Sequence, residues 1–175
     1  MTTGKTSIAG VIGAVWGIGG LSLLFGSALF RLYPYAHELY EMKFAWYHWV
    51  ALAASIIFMG YAEGYKGFHL KFSPRAAARA LYLKNNPTIV RVLLAPFFCM
   101  GYFHATRKRK IVSYCLTAMI VGLIIWVRTL EQPWRGIVDA GVVLGIGWGL
   151  LSVWIFSLKA FFGTGYDVSP ETPDA

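Results

Sequence analysis

Four apolar runs, residues 8–30, 44–62, 111–127 and 136–162, meet or approach the length of about 20 residues that a helix needs to cross the hydrocarbon core of a bilayer. A chain of 175 residues that is 57% hydrophobic and 14% charged, with a mean hydropathy of +0.56, has the composition of a membrane protein rather than a soluble domain. The sequence predicts an all-α, polytopic membrane protein, a four-transmembrane-helix bundle in one domain over 1–162. An acidic tail over 163–175 is expected to be flexible. The first run begins after a single Lys5 and ends at Phe30-Arg31 with no small-x-small cleavage pattern, so it reads as a retained span and not a secretory signal.

Charge sets the orientation. Ten of the sixteen Lys/Arg fall between residues 64 and 110, a stretch with no Asp or Glu. A fifth apolar run, 88–105, would place the basic groups Lys66, Lys71, Arg75, Arg79 and Lys84 across the membrane from Arg107, Lys108, Arg109 and Lys110 if it spanned, against the positive-inside bias. It also carries Arg91 near its start and Pro96 in its middle, which breaks or kinks a helix. Residues 73–105 are therefore expected to form an amphipathic or re-entrant helical hairpin between spans two and three. Both termini and 64–110 then lie on the cytoplasmic side of a bacterial-type inner membrane, with 31–43 and 128–135 outside.

Within that segment Ser73-Pro74 reads as a cap followed by proline at the first helical position, and Asn85-Asn86-Pro87 as the stop. Arg75 and Arg79 share a face at i,i+4 and could share a phosphate; with Arg107, Lys108, Arg109 and Lys110 they are the candidate contacts to anionic lipid headgroups. The plainer alternative is that these charges only set topology. Nucleic acid is not expected as a partner, because the cations sit between spans.

Glycines give the second pattern. Gly13 and Gly17 in the first span, and Gly141, Gly145 and Gly149 in the last, recur every four residues and line one helix face, where small residues let backbones approach closely. The expectation is a tight pairing of first and last spans; the same ridges could serve a homo-oligomer or a membrane-complex partner.

Candidate chemistry is sparse. Arg128, Glu131, Arg135 and Asp139 form a possible charge cluster at the outer interface, either mutually satisfied or lining a gate. Glu63 is expected at the inner end of span two, facing Arg91 or the 107–110 run. No span then has a charge at its centre, which argues against a proton-driven pump. His37, Glu38, Glu41 and His48 have irregular spacing for a metal site, so no metal is assigned. Cys99, His104, Thr106 and Arg107 hold the parts of an enzyme acting on lipid headgroups, but Cys99 and His104 diverge by roughly 140° on a continuous helix. His48 and His104 lie near opposite faces and cannot bracket a haem. No catalytic residue and no cofactor is assigned. The function class that fits is a non-enzymatic multi-pass component, an accessory subunit or scaffold; a small oligomeric transporter or channel is the alternative, and a lipid-modifying enzyme the third.

Overall fold

The computed structural model describes residues 7–173, and every ordered element among them is helical. Helix α1 (Ile8–His37) ends in a 3-10 turn (Glu38–Glu41); α2 (Trp46–Met59) follows. Then come α3 (Ser73–Asn85), the short α4 (Ile89–Leu93) and α5 (Ala95–Met100), and the long α6 (Arg107–Val127) and α7 (Trp134–Phe162). Three helices are long and apolar enough to cross a membrane, Ile8–Glu41, Arg107–Val127 and Trp134–Phe162.

The second apolar run differs from expectation. Its α-helical part is 14 residues long, and the chain then runs directly into a π-helical stretch, Gly60–Phe72, of 13 residues. Such stretches are rare beyond a single turn. Gly60, Gly64 and Gly67 reduce side-chain crowding along it, which lowers the steric cost of the wider backbone. Ser73-Pro74 is likewise no fresh helix start: Phe72 and Ser73 are both right-handed helical and no side chain caps the junction, so helix runs unbroken from residue 46 to 85. The expected stop does end it. Asn86 leaves helical backbone, its N–H donating to Tyr82 O at 2.9 Å.

Two packing seams organise the bundle, and each uses one of the glycine ridges. In α7, a Cβ at Gly141 would lie 3.0 Å from Met59 Cγ, one at Gly145 3.2 Å from Glu63 Oε2, and one at Gly149 2.5 Å from the Phe68 ring. In α1, a Cβ at Gly13 would meet Val92 and Leu83, and one at Gly17 would sit 2.8 Å from Cys99 Sγ. The ridges therefore face different partners: α7 packs its glycines on α2 and the π-helical stretch, α1 on the α3–α5 region. Helices α1 and α7 do pack on each other, but not through these glycines. The core between them holds Leu21, Phe25, Ala80, Leu83, Phe98 and Val153, with Phe25, Phe68 and Phe72 in edge-to-face contact.

Residues 88–105 break into two short helices, neither long enough to span. Pro96 stands at the start of α5, and the chain bends at Leu94, whose carbonyl accepts from Phe98 N at 2.9 Å. The chain climbs along α1, with Trp16 Nε1 donating to Leu93 O at 3.2 Å and Pro96 against Gly20, and then returns until His104 Nδ1 lies 3.4 Å from Arg91 Nη2. Gly101, at φ +85, makes the return turn; a Cβ there would also lie 3.0 Å from Arg109 Nε. Helix α6 stands apart, burying only Arg109, Ser113 and Val127.

Candidate functional site

Arg75, Arg79 and Arg109 gather where α3, the 101–106 turn, the start of α6 and the segment after α7 meet. Helix α3 reaches this place because Ala76, Ala77, Ala78 and Ala80 are all buried and let it press close to α1 and α7. On the same helix Arg79 is 1% exposed. Its Nε donates to Phe98 O at 2.6 Å, Nη1 to Pro170 O at 2.7 Å, and Nη2 to Phe103 O at 2.9 Å and His104 O at 3.0 Å. Four of five N–H donors are thus committed to carbonyls, and the guanidinium also lies over the Phe98 ring at 4.2 Å. Burial lowers its pKa to about 10, so it stays charged at neutral pH. The i,i+4 pattern expects Arg75 and Arg79 to share a phosphate; the structure instead spends Arg79 on the fold, as the pin that closes the 88–105 hairpin.

Around that pin the remaining cations differ in access. Arg75 Nε is 3.5 Å from Glu171 Oε1 and Arg109 Nε 3.8 Å from Glu171 Oε2. Arg107 and Lys108 are exposed, Lys110 is half-buried, and Lys66 and Lys71 are exposed along the π-helical stretch. Lys66, Lys84 and Lys159 lie over the rings of Tyr61, Phe161 and Phe156 at 4.8, 5.6 and 5.4 Å, an arrangement that keeps ammonium heads at an apolar boundary.

The segment after α7 completes the site. Where the sequence suggests a free tail, Tyr166 Oη donates to Pro74 O at 2.8 Å, Thr106 N donates to Glu171 O at 2.9 Å, and Thr172 is buried. Burial raises the Tyr166 phenol to about 12. Nothing in the sequence flags this docking, because its anchors are mostly backbone carbonyls.

Elsewhere the structure sorts the other candidates. Of the outer cluster it joins Arg135 and Asp139, Nε to Oδ2 at 3.7 Å, with Asp139 2% exposed and Arg135 stacked on Tyr35 at 3.5 Å. Arg128 and Glu131 are exposed and outside that pair. Gln132, not singled out by the sequence, does more there: it donates to Glu38 Oε2 at 2.7 Å and accepts from Gly136 N at 3.0 Å. Cys99 is 1% exposed and turned onto Gly17, whereas His104 is exposed and offers its carbonyl to Arg79, so thiol and imidazole face different neighbours. His48 Nδ1 accepts from Ala45 N at 3.2 Å and its ring packs on Trp134. Among the described residues no group of three or more His, Cys, Asp or Glu is placed to hold a metal ion. Glu63 is placed beside Gly145, near the middle of α7, rather than opposite Arg91 or residues 107–110, so the expectation that no span has a charge at its centre is not met. The unbroken helix carries it there, and His69 follows, Nδ1 3.1 Å from Ser152 Oγ.

Comparison with known proteins finds no family model, no curated protein and no solved structure that matches this chain.

Proposed function

We propose that this protein is a non-enzymatic, multi-pass membrane component, an accessory subunit or scaffold of a bacterial-type inner membrane, whose basic end seats on anionic lipid headgroups at the cytoplasmic face. The observation that carries this is the meeting of Arg75 and Arg109 at Glu171, with Arg107 and Lys108 exposed next to Arg109 in the chain and Lys66 and Lys71 exposed along the π-helical stretch that leads into α3. In this reading residues 46–69 are a fourth crossing. They accompany α7 from the Tyr47–Trp134 stack to the His69–Ser152 contact, about 27 Å of helix, close to the thickness of a hydrocarbon core. The 88–105 hairpin enters from the basic side and returns to it, which keeps the positive segments together.

Native mass spectrometry of the protein from nanodiscs containing equal phosphatidylglycerol and phosphatidylcholine tests the reading. Phosphatidylglycerol should be retained preferentially, and replacing Lys66, Lys71, Arg107 and Lys108 by Gln should cut that preference severalfold. Equal retention of both lipids would refute it.

A second reading, self-association, is favoured by α6, whose apolar surface has almost no intramolecular cover. Cys115 is exposed on that helix, so oxidative crosslinking in the membrane should yield a covalent dimer if α6 pairs with its copy, and monomer alone would end this reading.

A further inference from the structure

The cleft beneath Glu171 is rich in cations. Arg75 and Arg79 enter it from α3 and Arg109 from α6, so that among the described residues three guanidinium groups face one carboxylate. The two contacts Glu171 makes, 3.5 and 3.8 Å, are long beside the 2.7–2.9 Å of charge-assisted hydrogen bonds. Arg109 Nε is buried and has no hydrogen-bond partner. Glu171 also sits at φ +50, a left-handed backbone that a residue with a Cβ adopts at a cost. Its side chain is 34% exposed and that of Arg75 31%, so the cleft is open at one edge, beside the exposed Arg107 and Lys108.

We infer that the Arg75–Arg109 cleft is a phosphate-binding site for an anionic lipid headgroup, and that the chain's own 166–172 segment occupies it as a competitor, with Glu171 in the place of the phosphate. The inference rests on the proposed seating of the basic end on anionic lipid and adds a specific site and its regulation. A phosphodiester brings two non-bridging oxygens on a tetrahedral centre and matches two guanidinium forks better than one off-axis carboxylate. Arg79 is the fixed floor. Its bond to Pro170 O holds the competing segment by backbone, so displacement of the Glu171 side chain loosens the segment without dismantling the hairpin that Phe98, Phe103 and His104 close. Headgroup binding and seating of the Glu171 carboxylate between Arg75 and Arg109 are then mutually exclusive, and by linkage each weakens the other to the same degree.

The test uses the full chain with a nitroxide on Asp167→Cys, an exposed position in the segment, in a Cys115→Ser background; Cys99 is buried and does not label. In phosphatidylcholine nanodiscs the label should be immobile. Addition of phosphatidylglycerol should convert a large fraction to a mobile spectrum, while 10 mM inorganic phosphate in phosphatidylcholine leaves it unchanged. Glu171→Gln should mobilise the label without phosphatidylglycerol and raise phosphatidylglycerol affinity about fivefold, the size of two long ion pairs to one partly exposed carboxylate. Arg75→Gln should remove the lipid-dependent change. A spectrum identical in both lipids, with phosphatidylglycerol still retained by the protein, would overturn this inference and leave the lipid-seating reading standing. Absence of any phosphatidylglycerol preference would take down both, and mobilisation by inorganic phosphate but not by phosphatidylglycerol would overturn the lipid assignment.

Discussion

Arg79→Ala is the substitution whose cost the structure defines most closely. The wild-type guanidinium serves four carbonyls, of which those of Pro170 and His104 belong to half-buried and exposed residues that water can reach after truncation. The carbonyl of Phe98, which is fully buried, cannot be rescued so easily; that of half-buried Phe103 is open to water like Pro170's. One unsatisfied acceptor at about 1–3 kcal/mol, with the lost contact to the Phe98 ring at about 1–2 kcal/mol, gives a destabilisation of about 2–5 kcal/mol. That is roughly one and a half to three and a half powers of ten in the folded-to-unfolded ratio. Arg79→Lys should recover only part of it, since an ammonium has three donors and no planar fork to span carbonyls from α5, the 101–106 turn and Pro170. Arg75→Ala, four residues away on the same helix, should cost less than about 1 kcal/mol, as its ion pair is partly exposed and long. The assay is reversible unfolding by sodium dodecyl sulfate titration in detergent micelles, followed by far-ultraviolet circular dichroism. If Arg79→Ala and Arg75→Ala unfold at the same point, the guanidinium is not the pin of the hairpin.

Three further outcomes follow from the packing. Gly141→Leu should destabilise by about 1–3 kcal/mol or block assembly, because its side chain would enter Ser55 and Met59, whereas Gly147→Leu, with nothing within 4 Å, should be neutral in the same titration. In a Cys115→Ser background, N-ethylmaleimide should leave Cys99 intact until the protein unfolds, read by intact-mass spectrometry; rapid modification of the folded protein would contradict the Gly17–Cys99 contact. The Tyr166 phenol donates to Pro74 O only while protonated, and its pKa is raised in the folded chain, so its contribution is complete below pH 10 and is lost as pH rises towards about 12. A label on Asp167→Cys should therefore loosen over that window in wild type and show no such step in a Tyr166→Phe background; an identical step in both would refute the assignment.

Much of the architecture is legible in the residues because bilayer physics leaves few options. Apolar runs of spanning length, Asn85-Asn86-Pro87 at a helix end and Pro96 at a bend each act locally, and the structure shows an all-helical chain that stops and bends at those places. The glycine periodicity identifies a packing face but carries no information about which helix lies opposite, hence the exchange of partners between the two ridges. Ser73-Pro74 reads as a beginning because proline usually marks one, yet at a π-to-α junction the missing N–H is tolerated and the helix continues; Glu63 is displaced from its expected level by the same continuity. Arg75 and Arg79 are indistinguishable by type and spacing. Only the tertiary fold, with four carbonyls converging from distant segments, separates a buried pin from a half-exposed cation. The docked segment around Glu171 depends on the same long-range convergence and leaves no local mark.

The most direct measurement is the sidedness of three single cysteines, Asn86→Cys, Lys108→Cys and Glu131→Cys, in a Cys99→Ser, Cys115→Ser background, using a membrane-impermeant maleimide on intact and inverted vesicles. Residues 86 and 108 flank the hairpin at the basic end, and 131 lies in the turn between α6 and α7. Positions 86 and 108 should react from the cytoplasmic side and 131 from the opposite one. Reaction of 86 and 108 from different sides would mean that 88–105 crosses the bilayer, and the single basic face on which the account depends would not exist.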